Sequence, residues 1–179
     1  KIRGMKGALA VDDASPFAGV ALRYALKFKK KIKPVGRELA EARLLKDEAE
    51  KQRVLLACEI AKKSLAESVK GRTEHEVVGA MEMKARALGA SLDAFPAMVL
   101  SGNRSAFFHN STSQKKISRG DPVLVDWGCR VENYCSDYTR MLPNGCRNAK
   151  FLDALDAVEE AFAQCKRKAR VGTSGKTLS

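Results

Sequence analysis

One segment in the third quarter of the chain constrains the fold more than any other, because apolar and polar residues alternate in two short runs there. The runs VLVDWG (123–128) and YCSDYT (134–139) are typical of the two strands of a β-hairpin. If the hairpin turns around residues 131–132, Asp126 lies directly opposite Asp137. Paired residues have Cβ atoms about 4.5 to 5.5 Å apart, and two carboxylates that close destabilise a hairpin unless a cation lies between them or one is protonated. The spacing is compatible with a metal site, although two solvent-facing aspartates near a hairpin turn are the more common explanation of spacing alone.

The residues before Asp126 favour the metal interpretation. This aspartate follows the apolar run 123–125, where an unpaired charge would be costly to bury. Two divalent ions about 3.5 to 4 Å apart, bridged by carboxylate oxygens, would satisfy such a pair of aspartates.

The loop SGNRSAFFHNST (101–112) supplies a further candidate, His109. Phe107 and Phe108 stand beside it, so this histidine could line an apolar pocket, and the alternative is an exposed loop histidine. His75 lies between two glutamates in the first turn of a predicted helix and is expected at the surface.

A charged, amphipathic helix is expected over residues 38–69, with a break near residues 46–47. Its apolar residues recur at helical spacing, so they are predicted to belong to the core: Leu55, Leu56, Ile60 and Leu65. Cys58 lies in the same apolar run and is expected to be a buried free thiol.

The elements that follow predict an α+β fold. Thr73 and Glu76 form a capping box that starts a second helix, and Gly89 ends it. An extended run at 95–100, the hairpin and a last helix at 149–170 complete the order. Helices on one face of an antiparallel sheet are the architecture that this order favours.

The first 36 residues have a different pattern, which resembles the closing strand–helix–strand of an α/β domain. Ser15 would cap its helix and Pro16 would occupy the first helical position. We therefore expect two parts, residues 1–36 and residues 37–179, with both chain ends cut from a longer protein.

The cysteines, the apolar runs and the net charge restrict which compartment and which partners can be expected. Five cysteines without a CxxC pair argue against a zinc finger or disulfide framework, and favour the cytoplasm. No apolar run approaches the roughly 18 to 20 residues that cross a bilayer, so no membrane partner is expected. The net charge of +12 makes a nucleic acid a candidate partner. Without interleaved aromatic residues, solvated basic faces are the favoured explanation.

The segment 95–142 resembles the first half of the pita-bread catalytic domain, the fold shared by Xaa-Pro aminopeptidases, prolidases, methionine aminopeptidases and creatinase. The matching elements are an apolar run ending in Ser-Gly, a histidine about seven residues later, a Gly-Asp turn, and Asp-x-Gly followed by Ser-Asp-x-Thr-Arg. Asp-x-Gly followed at this spacing by Ser-Asp-x-Thr-Arg is the most specific of these elements. Residues 41–65 and 71–77 resemble the first two helices of that domain, so the resemblance covers about residues 38–179.

The resemblance implies a role for each matching position. Asp126 would chelate one metal ion, Asp137 would bridge both, and His109 would contact the substrate and stabilise the tetrahedral intermediate. Phe107 and Phe108 would be substrate-binding residues. Two divalent ions would be the cofactors, manganese first, with cobalt, iron or zinc as alternatives.

The SDYTR form and the preceding α/β remnant favour the Xaa-Pro aminopeptidase and prolidase branch. The implied activity is removal of the N-terminal residue from Xaa-Pro peptides by a metal-bridged hydroxide. The implied partners are the peptide substrate, a second copy in a homodimer, and the remaining C-terminal half of the domain. That half would supply a further histidine and two glutamates, so this chain alone is expected to be inactive.

Two alternatives stay open. Pita-bread domains also serve as noncatalytic binding modules, and creatinase-like amidinohydrolases share the fold without using metal. Because both Asp126 and Asp137 are present, the enzyme that uses metal is favoured over either.

Overall fold

A computed structural model describes residues 8–12, 18–29, 31–65, 69, 71–107 and 110–178. The chain divides into two units, Lys1–Lys51 and Gln52–Ser179. The expected assignment of residues 1–36 to an α/β domain stays a prediction.

The first unit contains the predicted strand–helix–strand motif. β1 (Leu9–Val11) pairs in parallel with β2 (Ile32–Pro34), and α1 (Ala18–Lys27) connects the two strands. Parallel strands need a crossover connection, which explains why a helix separates them. A short helix, α2 (Gly36–Ala42), follows β2. The predicted cap at residues 15–16 lies outside the described residues.

The predicted break in the long helix is confirmed. The chain leaves α2 and enters α3 (Glu48–Ser64) through a reciprocal cap. The Glu50 N–H donates to Asp47 Oδ1 at 2.8 Å, and the Asp47 N–H donates to Glu50 Oε2 at 2.7 Å. Both bonds satisfy N–H groups at the helix start, so α3 begins afresh rather than continuing α2. It ends at Ser64, before the expected limit near Val69.

α3 buries mainly small residues: Ala57, Ile60, Ala61 and Ser64. The prediction that Leu55 and Leu56 belong to the core is wrong for this chain, because both are about half exposed. Small side chains let a helix approach its neighbour closely, so the adjacent leucines are left at the margin of the contact. Cys58 is likewise exposed, and the buried thiol is Cys129, whose Sγ donates to the Ala57 carbonyl at 3.3 Å.

The second helix, α4 (Glu74–Ala87), has the predicted capping box. The Glu76 N–H donates to Thr73 Oγ1 at 3.2 Å, and the Thr73 N–H donates to Glu76 Oε2 at 2.7 Å. The helix ends before Gly89, which has a φ of +104°. Both ends of α4 therefore follow from the sequence.

Two three-stranded antiparallel sheets complete the second unit. The first has the order β3 (Leu92–Asp93), β6 (Cys129–Val131), β7 (Tyr134–Cys135), and the second has the order β4 (Met98–Ser101), β5 (Val123–Trp127), β8 (Tyr138–Leu142). A 3-10 helix, Gly102–Ala106, follows β4. One core cluster joins buried residues of β5 and β6 with buried residues of α3 and α4, so the α+β prediction is confirmed.

The predicted hairpin exists, but its register differs by two residues. β5 pairs with β8 so that Asp126 lies opposite Thr139, and the prediction that it lies opposite Asp137 is wrong. The turn lies at residues 132–133, which have left-handed φ values of 46° and 71°. Two such residues form the tight hairpin turn that suits twisted strands, which is why the turn forms there rather than at residues 131–132.

The last long helix, α5 (Ala149–Lys168), starts at the N-cap Asn148, whose Oδ1 accepts from the Phe151 N–H at 3.3 Å. None of its residues is buried, and Val158 and Phe162 are 66% and 69% exposed. A single turn, α6 (Gly175–Leu178), follows. Within the described residues, no helix has both the length and the apolar character needed to cross a bilayer.

Candidate metal centre

Asp126 lies on β5, the central strand of its sheet, between Met98 on β4 and Thr139 on β8. Along β5 the buried positions alternate with half-buried ones, and Asp126 is half-buried. The apolar run before this aspartate therefore does not bury its carboxylate, because the side chain points away from the face that the valines share. Thr139 Oγ1 donates to Asp126 Oδ1 at 2.8 Å and orients the carboxylate.

Asp137 lies between the end of β7 and the start of β8. Continuing the observed register places it opposite Gly128 and diagonal to Asp126. Diagonal neighbours on one face of an antiparallel pair are about 7 to 8 Å apart, wider than the direct pairing that the sequence predicted. That spacing leaves room for ions between the two carboxylates.

Gly128 is required for this arrangement. A Cβ there would lie 2.0 Å from the Ser136 carbonyl oxygen and 2.9 Å from its carbon, so no other residue fits without moving backbone. The Ser136 N–H donates to the Cys129 carbonyl at 3.0 Å, and the Cys129 N–H donates to Ser136 Oγ at 3.1 Å. These bonds hold the chain next to Asp137 against the start of β6, the strand that follows β5 and Gly128.

A cleft of about 660 Å³ has both aspartates in its wall. Phe95, Pro96 and Met98 give the cleft an apolar side, and residues 110–112 give it a polar one. The structure thus brings together the two predicted metal ligands, although not as a directly opposed pair.

His75 also lines this cleft, which the sequence did not indicate. It is exposed, as predicted, and the first turn of α4 presents it to the cleft. Phe107 is 65% exposed and does not belong to the described lining of the cleft. Phe108 and His109 lie outside the described residues, so the roles of all three predicted substrate-binding residues stay predictions.

The donor set fits divalent ions. Carboxylate oxygens are hard ligands, and a hydroxyl that orients one of them is the kind of supporting contact found around metal sites. Across the part of the chain that the structure describes, no group of three or more His, Cys, Asp or Glu side chains could hold an ion. Asp126 and Asp137 could therefore contribute to a metal site, with further ligands needed for tight binding.

A buried carboxylate is connected to the cleft wall at two places: Glu74 precedes His75 in the chain, and it accepts hydrogen bonds from Ser113, which follows residues 110–112. Glu74, the first residue of α4, is fully buried. Its Oε1 accepts from the Ser101 N–H at 2.8 Å and Ser101 Oγ at 2.9 Å. Its Oε2 accepts from the Ser113 N–H at 3.0 Å and Ser113 Oγ at 2.7 Å, and Arg104 Nε lies 3.3 Å from both oxygens.

These donors decide the charge of Glu74. Burial raises the pKa of its carboxyl, but the hydrogen bonds from Ser113 and Ser101 and the charge of Arg104 outweigh that effect. The pKa of Glu74 therefore lies below its ordinary value, and the group is ionised at neutral pH.

A second ion pair continues this cluster. Lys115 Nζ donates to Asp121 Oδ2 at 2.6 Å and to Ser101 Oγ at 2.9 Å. The hydrogen bond from Lys115 holds the pKa of Asp121 below its usual range. A Cβ on Gly102 would lie 2.8 Å from Asp121 Oδ1, so the Ser-Gly and Gly-Asp motifs of the sequence meet here.

The chain belongs to metallopeptidase family M24, whose model matches residues 52–179. It is 32% identical to the Xaa-Pro dipeptidase of Pyrococcus horikoshii over 99% of this chain and 51% of that protein. It is 33% identical to human Xaa-Pro aminopeptidase 3 over 83% of this chain and 30% of that protein.

Solved structures show the same likeness. The prolidase of Pyrococcus horikoshii superposes with a TM-score of 0.87 at 32% identity, over 96% of this chain and 51% of that one. The X-Pro aminopeptidase of Thermotoga maritima superposes with a TM-score of 0.86 at 31% identity, over 96% and 50%. The fold is therefore half of a pita-bread structure, and the chain spans about half the length of these relatives.

Proposed function

We propose that this chain is part of a metal-dependent exopeptidase that removes the N-terminal residue from peptides whose second residue is proline. The observation that carries the proposal is the position of Asp126 and Asp137 in the wall of one cleft, in a chain of family M24. Relatives named Xaa-Pro dipeptidase and Xaa-Pro aminopeptidase support the substrate class.

Asp126 and Asp137 are the metal ligands in this proposal, Asp126 to one ion and Asp137 to both. Two divalent ions, manganese in the first instance, would polarise the scissile carbonyl and lower the pKa of a water that they share. Thr139 holds the Asp126 carboxylate in place through its 2.8 Å hydrogen bond. The diagonal placement of Asp137 keeps the two carboxylates from repelling each other at direct-pair distance.

The cleft supports the binding of a peptide. Phe95, Pro96 and Met98 form an apolar side that suits a proline ring, which has no polar atoms beyond the backbone. His109 is proposed to contact the substrate and stabilise the tetrahedral intermediate, with Phe107 and Phe108 beside it.

The remaining assignments follow the same proposal. Residues 1–36 would close an α/β domain and residues 37–179 would form the first half of the catalytic domain. The other half would complete the ligand set, so this chain alone would be inactive. The whole protein is proposed to be a cytoplasmic homodimer.

The test uses the whole protein and measures release of the N-terminal residue from an Xaa-Pro dipeptide and an Xaa-Pro tripeptide, with and without manganese. Asp137→Asn removes the charge of one ligand at nearly constant shape. We expect activity that requires metal and falls at least a thousandfold in this variant, about 4 kcal/mol of lost transition-state stabilisation. Isothermal titration should show weaker manganese binding as well.

Asp156→Asn is the matched control, because Asp156 is exposed on α5 and the same change is made. It should keep wild-type activity and metal affinity. A folded wild-type protein that hydrolyses no Xaa-Pro peptide with any divalent metal would refute the proposed activity. An Asp137→Asn variant with unchanged manganese affinity would refute the ligand assignment.

A further inference from the structure

We propose that Glu74 is a positioning residue that holds both ends of the segment 101–113 and thereby fixes one wall of the cleft. In the sequence this segment contains Phe107 and His109. The catalytic consequence rests on the proposed function, whereas the structural consequence does not.

The contacts of Glu74 join the two ends of the segment. On the side where the chain leaves β4, Ser101 and Arg104 donate to the carboxylate. On the side where the chain returns, Ser113 donates to it through both N–H and Oγ. One buried charge therefore closes a segment of about a dozen residues, and no other described carboxylate contacts both of its ends.

Neighbouring bonds strengthen the closure. The Glu74 N–H donates to the Lys115 carbonyl at 3.0 Å, and the His75 N–H donates to the Ser113 carbonyl at 3.2 Å. Arg104 Nη2 donates to the Ser111 carbonyl, which crosses the segment from one end to the other. The start of α4 is thus an anchor for residues 110–112, which line the cleft.

The substitution Glu74→Gln is a sharp test because it keeps the shape of the side chain and removes its charge. Its amide can accept through one oxygen only, so its NH₂ group would face donors, either those of Ser101 or those of Ser113. One end of the segment would then lose its hydrogen bonds, and Arg104 would lose its ion pair.

Glu76 provides the matched control in the same helical turn. It is exposed, and its carboxylate accepts from the Thr73 N–H in the capping box. Glu76→Gln is the same chemical change, and it alters the helix start without touching the segment 101–113.

The experiment measures amide hydrogen exchange by mass spectrometry in the whole protein without substrate, together with kcat, KM and manganese affinity. In Glu74→Gln we expect exchange of residues 101–113 to rise at least tenfold, while exchange in α5 and in the second half of α4 changes less than twofold. We expect kcat to fall at least tenfold and manganese affinity to change less than threefold. Glu76→Gln should leave exchange of residues 101–113 within twofold of the wild type.

Unchanged exchange in the segment, or a uniform rise across residues 52–178, would overturn the proposal, because the second result is that of a general loss of stability. If Glu74→Gln does not fold, Ser113→Ala removes a single donor and should raise exchange of the segment at least threefold; no rise there also overturns the proposal. The two proposals can also fail separately. If exchange of residues 101–113 rises locally in Glu74→Gln but the wild-type protein hydrolyses no Xaa-Pro peptide, the positioning role is supported and the proposed function is rejected.

Discussion

Replacing Gly128 by alanine should destabilise the hairpin that carries both aspartates. The new Cβ would lie 2.0 Å from the Ser136 carbonyl oxygen and 3.1 Å from the Ala94 Cβ. An ordinary contact between such atoms is about 3.5 Å, so the two chain segments must separate by about 1.5 Å. The obstacle is backbone, which cannot rotate away as a side chain can.

The structure gives the magnitude. Separation by that distance breaks the hydrogen bonds from the Ser136 N–H to the Cys129 carbonyl and from the Cys129 N–H to Ser136 Oγ, each worth about 1 kcal/mol net. Overpacking increases the loss in the free energy of unfolding by about 1 to 3 kcal/mol. The lower entropy of the unfolded alanine variant reduces that loss by about 0.4 to 1 kcal/mol. The expected loss in the free energy of unfolding is therefore about 2 to 4.6 kcal/mol.

The assay is equilibrium unfolding in urea, followed by the fluorescence of Trp127. This is the only tryptophan in the chain, it is fully buried, and it precedes the substituted residue. Gly79→Ala is the control, because nothing lies within 4 Å of a Cβ at that exposed helical position. It should raise stability by about 0.5 to 1 kcal/mol. A loss below about 1 kcal/mol for Gly128→Ala would refute the steric argument.

Three further predictions concern helix caps and charges. Thr73→Ala removes the side-chain half of the capping box and should cost about 1 kcal/mol, measured as a lower urea midpoint. Glu74 and Asp121 have lowered pKa values in the fold, so each contributes stability above its unfolded pKa that is lost as pH falls through the folded value. Urea midpoints should therefore start to drop as pH falls below about 5 and continue to drop as each group is protonated in the fold, and an equal drop in Asp121→Asn would contradict this assignment. Burial, and then the charge of Asp93, raise the pKa of Glu82, so its ionised form costs stability at neutral pH. Glu82→Gln should gain roughly 0.5 kcal/mol at pH 7 and nothing in acid, as thermal melting at both pH values would show.

Local signals predicted several elements correctly. The capping box of Thr73 and Glu76 starts α4 by hydrogen-bonding backbone N–H groups at its first turn. Gly89 follows the end of the helix, because its left-handed φ suits a residue just after a helix C-terminus. The helix of the first unit was predicted from the cap signal at residues 15–16, and the existence of the hairpin from the alternation of apolar and polar residues.

The hairpin register could not be predicted because it depends on which two residues form the turn. A shift of the turn by one residue changes each pairing by two positions and keeps the same face, so the hydrophobic pattern fits both registers. Asn133, a residue that tolerates left-handed φ, was the one local signal for the observed turn. Both aspartates line one cleft, but the predicted direct pairing of Asp126 with Asp137 is wrong, and their role as metal ligands stays a prediction.

The sequence correctly predicted Ile60 as a core residue of α3, but it predicted neither the other core residues of that helix nor the presence of His75 in the cleft. Hydropathy favours Leu55 and Leu56 as core residues, whereas close packing of the helix selects Ala57 and Ala61. Which side of a helix packs closely, and what its first turn faces, depends on distant residues rather than on neighbours in the sequence.

The exposure of α5 bears on which substitutions the protein can accept. Every side chain of this helix keeps contact with solvent, including Val158 and Phe162. Exposed positions of this kind normally accept polar residues with little loss of stability. In a library of single variants, α5 should therefore tolerate more polar substitutions than the buried positions of β5 do. Any position along α5 that does not accept a polar residue would therefore identify a side chain that is covered in the working protein, and such positions together map a contact face residue by residue.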